Sequence, residues 1–179
     1  MLGKRNIFLI GPMGSGKSAV GKALARMIQA PFVDSDAEIE RRTGVDIPYI
    51  FEKEGEAGFR QRERETIDAL TAEGPMVLAT GGGAVLLPEN RACLAERGCV
   101  VYLKTSVAQQ VFRVKHARNR PLLNNVDPSE RLEQLMRERS PLYEQLADVT
   151  VSTDGRRVRT VAEEIIRAIN ERTPPPEKG

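Results

Sequence analysis

The 179-residue chain has one histidine, two cysteines and no long apolar run. A single histidine excludes a Ser-His-Asp catalytic set and a histidine-rich metal centre. The two cysteines, Cys93 and Cys99, form no metal-ligand pattern. No stretch is apolar enough to span a membrane, and no secretory signal opens the chain. These absences, with cysteines that suit a reducing compartment, favour a cytoplasmic protein.

The chain also has no large excess of one charge, since 27 basic and 25 acidic side chains leave a net charge of +2. So small an excess does not suggest a nucleic-acid partner. The basic run "RVKHARNRPLL" has no aromatic residue on which bases could stack. It opens a polar loop at about residues 114–126, and loops this long without regular structure are usually either functional lids or disordered. We predict a lid that brings Arg120 onto a transferring phosphate, with His116 as a solvated residue.

Short apolar runs rich in β-branched residues alternate with stretches of helical period. Five strands are predicted within "RNIFLI", "APFVD", "MVLAT", "CVVYL" and "DVTVS". Helices are predicted near Lys17–Ile28, Asp36–Thr43, Gly58–Ala72, Pro88–Arg97, Ser106–Arg113, Ser129–Leu146 and Val158–Asn170. This alternation predicts an α/β fold with three αβα layers around a five-stranded parallel sheet, and ligands at the carboxyl ends of the strands. The length suits a single domain over residues 1–179, with a loose proline-rich tail at about 173–179.

The stretch "GPMGSGKS" at residues 11–18 lies between the apolar run "NIFLI" and the helical stretch "AVGKALARMI". Its G-x-x-x-x-G-K-S spacing is that of the phosphate-binding P-loop. The glycines let backbone N–H groups turn inward, and the helix beginning near Lys17 adds its positive end. In such a loop Lys17 reaches the β- and γ-phosphates, and Ser18 ligates Mg²⁺. The alternative is a glycine-rich turn with an incidental lysine.

Two aspartates follow the second predicted strand in "FVDSDAEIE". If the backbone stays extended, Asp34 and Asp36 lean to the same side, about 6–7 Å apart. One carboxylate could hold the water shell of Mg²⁺ while the other meets a substrate hydroxyl. The alternative is structural, because Ser35 and Glu38 have the spacing of a capping box and an aspartate complements the helix dipole. Beside a P-loop we favour the functional interpretation.

Three further features could contribute to the same site. "GGG" at 81–83 follows the third strand and would let a small molecule approach the backbone, although a tight turn explains it as well. Arg139 falls on the apolar stripe of its helix, where a guanidinium needs an anion, either a structural partner or a bound carboxylate. Arg60 lies next to the inward-pointing Phe59, and the pattern alone places it on a solvated face.

In order and spacing, "GPMGSGKS", "DSD", "FRQRE", "GGGAV", "RPLL" and "RSPLY" resemble the motifs of shikimate kinases, which are small P-loop kinases of aromatic amino-acid biosynthesis. The resemblance extends from about Arg5 to Arg172. It implies the P-loop kinase fold, with a substrate-binding helical segment at about residues 36–64. It also implies transfer of a phosphate from ATP, with Mg²⁺, to the 3-hydroxyl of shikimate, giving shikimate 3-phosphate and ADP.

The resemblance further implies roles for individual residues. Asp36 would bind the reacting hydroxyls and orient or deprotonate the nucleophile, while Lys17 and the lid residue Arg120 would stabilise the transferring phosphate. Asp34 would support Mg²⁺ through water, together with Ser18. The substrate site would comprise Asp36, Arg60, Gly82, Gly83 and Arg139, with both arginines on the carboxylate. The nucleotide site would comprise Gly14, Ser15, Gly16, Lys17, Ser18, Ala19, Arg113, Arg120 and Arg157.

Other functions remain as alternatives. A gluconate-type sugar-acid kinase is also a short P-loop enzyme with a carboxylate-bearing substrate. A nucleoside monophosphate kinase would need sites for a second phosphate and a base, which the sequence does not reveal. A nucleotide-sensing switch or a kinase-like binding module is disfavoured, because no guanine-reading N-K-x-D occurs and the reactive residues are all present. We expect a monomer with shikimate as its partner, and neither nucleic acid nor membrane.

Overall fold

The computed structural model describes residues 5–115 and 127–172, so Arg120, almost all of the predicted lid and the tail at 173–179 lie outside the described residues. Its elements in chain order are β1 (Ile7–Ile10), α1 (Lys17–Ile28), β2 (Phe32–Asp34), α2 (Ser35–Thr43), α3 (Ile47–Ala72), β3 (Val77–Ala79), a 3₁₀ helix (Ala84–Leu86), α4 (Pro88–Arg97), β4 (Cys99–Lys104), α5 (Val107–Val114), α6 (Pro128–Leu146), β5 (Val149–Ser152) and α7 (Val158–Arg172). The bounds of α1 and α4 are those expected from the sequence.

Helix α3 consists of two helical segments that meet at a kink at Gly55, and the sequence predicts the second segment, near Gly58–Ala72, but not the first, which begins at Ile47. The Asp46 side chain accepts a hydrogen bond from Tyr49 N and caps the first turn. Gly55, at φ +72°, interrupts the helical backbone, and a second helical segment follows it. Two glycines within four residues made the first half of α3 look like a loop.

The five strands form one sheet in the order β2-β3-β1-β4-β5, and every neighbouring pair is parallel. Strand β1 is central and fully buried, so its side chains alternate between two apolar clusters. Ile7 and Leu9 pack with α1 and α7, whereas Phe8 and Ile10 pack with α3, α4 and α6. The α/β class with helices on both faces is therefore confirmed.

A third apolar cluster lies apart from these two and joins α2 to the first part of α3. Its buried members are Ile39, Ile50 and Phe59, and Phe51 packs against Phe59 with ring centroids 4.9 Å apart and ring planes tilted by 35°. This cluster, called the α2–α3 cluster below, supports the elements that carry Asp36 and Arg60.

None of the described helices combines the length and hydrophobicity that a membrane span requires. The thiols of Cys93 and Cys99 are both free and partly buried. Across residues 5–115 and 127–172, histidine, cysteine, aspartate and glutamate nowhere gather in a group of three that could hold a metal ion.

Candidate active site

A cleft of about 570 Å³ opens at the carboxyl ends of β1, β2 and β3, where ligands bind in sheets of this kind. The P-loop forms one side, α2 and α3 form another, and the glycine turn at 81–83 forms its floor. The charged and polar side chains that line it are Lys17, Ser18, Asp34, Asp36, Glu40, Arg60, Glu63, Thr80, Arg113 and Arg139.

The P-loop joins β1 to α1, and Gly16 stands at the helix start with φ +88°. A side chain would be strained there, so glycine is needed for the turn. The Lys17 ammonium donates to Gly11 O at 2.6 Å and Pro12 O at 2.8 Å. From α5, the Arg113 guanidinium donates to Gly14 O at 2.7 Å. The side chains of Lys17 and Arg113 therefore place two positive charges at the P-loop, where the sequence predicts a phosphate-binding site.

Asp34 and Ser18 come together across the cleft, with Ser18 Oγ 2.7 Å from Asp34 Oδ2. The backbone does not stay extended after Asp34, because α2 begins at Ser35. Asp34 itself caps this helix, since its Oδ1 accepts from Asp36 N at 2.9 Å. The capping box weighed as the structural alternative does not form, because Asp34 is the N-cap and the Ser35 hydroxyl accepts from Gly81 N at 3.2 Å.

Asp36 lies in the first turn of α2 and reaches over the glycine turn. A β-carbon at Gly81 would lie 2.8 Å from Asp36 Oδ1 and 2.9 Å from Glu63 Oε2. At such distances any side chain would displace both carboxylates. The glycine is therefore required by close approach, which leaves these oxygens directly above the turn.

Arg60 is not on a solvated face, because its side chain is only 11% exposed. Its NH1 donates to Glu63 Oε1 at 2.9 Å, and Glu63 is fully buried. A β-carbon at Gly83 would overlap the Arg60 guanidinium. Glu63 was missed in the sequence, although it falls on one helical stripe with Phe59 and Ile67, and this signal could have revealed it.

Arg139 points inward from α6 and is 4% exposed. No carboxylate of the described residues lies within ion-pair distance of it, which disfavours the structural ion pair as its role. Burial and the nearby charge of Arg60 lower the pKa of Arg139. A β-carbon at Gly82 would lie 3.5 Å from Arg139 NH1. The guanidinium therefore borders the glycine turn, where an anion would compensate for its burial.

Some predicted residues fall outside this arrangement. Arg157 is exposed in the turn between β5 and α7 and does not line the cleft. Ser15 is a fully buried residue of the P-loop, whereas Ala19 does line the cleft. Arg120 belongs to the segment that the structure does not describe.

A second depression, of about 690 Å³, lies at the opposite, amino ends of the strands. Two of its arginines are engaged in ion pairs, since Arg97 NH1 lies 2.9 Å from Asp68 Oδ1 and Arg172 NH2 lies 3.5 Å from Asp148 Oδ1. Parallel α/β sheets bind ligands at the other end, so the cleft at the carboxyl ends is the candidate site.

A family model described as shikimate kinase matches residues 13–170. The chain belongs to this family. The shikimate kinase of Halorhodospira halophila is 56% identical over 163 residues, which cover 91% of this chain and 92% of the relative. A structure described as shikimate kinase from Acinetobacter baumannii in complex with shikimate superposes with a TM-score of 0.93 at 46% identity and covers 95% of each chain.

As a member of the shikimate kinase family, the chain is a kinase, and ATP is the phosphate donor of this family. The switch and binding-module alternatives are therefore wrong. A gluconokinase from Sinorhizobium meliloti matches with a TM-score of 0.52 and 18% identity, which shows a shared fold alone. The P-loop kinase fold that the sequence predicts is confirmed by the superposition on the shikimate kinase structure from Acinetobacter baumannii.

The buried carboxyl of Glu63 should make the free energy of unfolding of this member of the shikimate kinase family depend on pH. Burial raises the pKa of Glu63 above its ordinary value of 4.5, although Arg60 and Arg139 act in the opposite direction. The folded state therefore holds this proton more tightly than the unfolded chain. The stabilisation is full below pH 4.5 and is lost as the pH rises through the raised pKa. Each tenfold difference in proton affinity between the two states corresponds to about 1.4 kcal/mol of stability.

We expect the free energy of unfolding of the wild type, relative to the Glu63→Gln variant, to fall as the pH rises above 4.5. Urea unfolding of both proteins across this range measures the difference. Glu56→Gln, which removes the exposed partner of the same Arg60, is the matched control and should follow the wild-type curve. A difference between wild type and Glu63→Gln that stays constant or grows with pH would contradict the prediction.

Proposed function

We propose that the chain phosphorylates the 3-hydroxyl of shikimate with ATP, giving shikimate 3-phosphate and ADP. One observation carries the proposal: two arginines shielded from water and the Asp36 carboxylate meet over a glycine floor beside the P-loop. A carboxylate that enters between Arg60 and Arg139 would compensate for their burial. A hydroxyl on the same small ring would then reach Asp36.

The donor side has the groups that an ATP–Mg²⁺ complex requires. Backbone N–H groups of the P-loop and the start of α1 favour phosphate oxygens, and Lys17 adds a positive charge. Ser18 and Asp34 supply hard oxygen atoms, which suit Mg²⁺, and they already meet at 2.7 Å. When bound, Mg²⁺ would neutralise charge on the phosphate oxygens. We propose Ser18 as a direct ligand and Asp34 as a ligand through water.

On the acceptor side, Asp36 would accept the proton of the attacking hydroxyl and orient it toward the γ-phosphate. Arg60 and Arg139 would bind the carboxylate with paired N–H donors, which fixes the direction of the ring. Gly82 and Gly83 would let the ring approach the backbone. Placement of this kind is the main source of rate in phosphoryl transfer, because the protein forms no covalent bond to the phosphate.

The remaining nucleotide contacts are part of the same proposal. Arg113, held on the P-loop by Gly14 O, would lie beside the bound nucleotide. Arg120 from the lid would contact the phosphates, and Arg157 would lie over the adenine. Lid closure would exclude water and so limit wasteful hydrolysis of ATP.

We also propose a cytoplasmic monomer formed by a single domain. Within the described part of the chain, the exposed large apolar side chains are Met27, Tyr49, Phe112 and Val158, and each lies on a different helix. Such scattered residues do not form the continuous apolar patch that a stable dimer buries.

A coupled assay of ADP release tests the activity, with shikimate, gluconate and AMP offered as separate acceptors. We expect turnover with shikimate well above the ATP-only rate, and no increase with the other two. Product analysis should find the phosphate on the 3-hydroxyl. A shikimate rate equal to the ATP-only background would refute the proposed function.

A further inference from the structure

Tyr143 connects the helix that carries Arg139 to the glycine turn. It follows Arg139 by four residues on α6, so the two side chains share one face of the helix. The Tyr143 hydroxyl donates to Gly82 O at 2.5 Å, and its oxygen also lies beside the Arg139 guanidinium. One buried hydroxyl thus forms a hydrogen bond to the backbone of the floor and lies next to an arginine of the proposed substrate site.

The hydrogen bond at Gly82 O also determines where the next N–H group points. The peptide bond between Gly82 and Gly83 is planar, so its C=O and N–H point in opposite directions. Tyr143 belongs to the core cluster beneath the turn. Because Tyr143 draws the Gly82 carbonyl toward the core, we infer that the planar peptide directs the Gly83 N–H the opposite way, toward the cleft.

The position of the tyrosine is itself well defined. Its ring stacks on Tyr102 of β4, with centroids 5.1 Å apart and planes at 26°, and both side chains are fully buried. Burial also raises the pKa of Tyr143, so the phenol stays neutral and can donate. The central sheet therefore fixes the Tyr143 ring, and the Tyr143 hydroxyl in turn fixes the glycine turn at Gly82.

On the basis of the proposed function, we propose that Tyr143 is a positioning residue for the substrate carboxylate. Its hydroxyl holds the Gly82–Gly83 peptide and the Arg139 guanidinium in the arrangement that receives this carboxylate. It touches neither the ATP site nor the reacting hydroxyl. Its loss should therefore affect shikimate binding rather than the chemical step.

The test compares Tyr143→Phe with Tyr102→Phe, because the two stacked rings share one cluster and differ in their hydroxyl contacts. The Tyr102 hydroxyl lies beside Ser140 but makes no hydrogen bond of normal geometry with any described residue. In steady-state assays, Tyr143→Phe should raise the KM for shikimate about tenfold and leave kcat and the KM for ATP near wild-type values. Tyr102→Phe should match the wild type.

A second substrate separates positioning from general loosening of the fold. With the methyl ester of shikimate, which lacks the carboxylate charge, Tyr143→Phe and wild type should have similar kcat/KM. Equal losses with acid and ester, an equal rise in the KM for ATP, or a Tyr143→Phe variant that matches Tyr102→Phe would overturn the proposal. If thermal unfolding shows that Tyr143→Phe is not folded while Tyr102→Phe is, the hydroxyl supports the fold as a whole, and the proposal of a positioning role is overturned. A wild type inactive on shikimate would instead refute the proposed function.

Discussion

Replacing Asp36 with asparagine should lower kcat for shikimate by about 10²- to 10⁴-fold, the usual contribution of a positioned general base. Asparagine keeps the size and the first turn of α2 but cannot accept the proton of the attacking hydroxyl. The Asp36 carboxylate lies directly above Gly81, within the cleft that also contains Lys17. ATP affinity, measured by titration calorimetry, should remain close to that of the wild type, since Asp36 is separate from the P-loop.

The matched control is Glu38→Gln. Glu38 lies in the same first turn of α2, and its substitution removes the same charge from the same helix end. Its carboxylate instead pairs with Arg41 and Arg42, away from the cleft. This variant should keep wild-type kcat. If Asp36→Asn kept a near-normal kcat, or if Glu38→Gln lost as much, Asp36 would not be the base.

The second large effect is expected at Arg139. Arg139→Ala should raise the KM for shikimate about 100-fold, because charge-assisted hydrogen bonds to a carboxylate contribute about 1.5–3 kcal/mol. Arg139→Lys should recover only part of the loss, since an ammonium cannot offer two parallel donors. Steady-state kinetics with shikimate as the varied substrate provide the measurement.

Arg137→Ala is the control for Arg139, because Arg137 lies two residues earlier on α6 and is exposed. It should leave the KM unchanged. The unfolding midpoint of Arg139→Ala should not fall in step with its activity, as the guanidinium has no ion pair among residues 5–115 and 127–172 whose loss would destabilise the fold. A KM near the wild-type value in Arg139→Ala would exclude its role in carboxylate binding.

The donor half of the site was predictable because its information is local. Eight consecutive residues specify the P-loop, and a buried strand and a helix flank it at the expected bounds. The two interpretations of Asp34 proved compatible, since one oxygen caps α2 while the other meets Ser18. Spacing alone could not show this, because a carboxylate has two oxygens that can serve different partners.

The acceptor half depends on helix faces and on contacts between distant segments. Arg60 looked solvated because most of its helical neighbours are charged, and only the buried Glu63 explains its position. The sequence does not reveal the first segment of α3, because two glycines this close together usually mark a helix end, and Gly55 does interrupt the helical backbone before the second segment. Arg139 was found because an arginine on an apolar stripe is exceptional, and the same reasoning applied to Glu63 would have located it.

The α2–α3 cluster has only three buried apolar residues, and it is separate from the two larger clusters on the faces of the sheet. It holds together the helices that carry Asp36 and Arg60. Few apolar contacts need to be lost for these two helices to come apart while the sheet stays intact. A ligand that joins Arg60 to Arg139 stabilises only the assembled form, so its binding energy adds to the local folding energy. We therefore expect a bound substrate to stabilise the packing of α2 on α3 more than it stabilises the sheet.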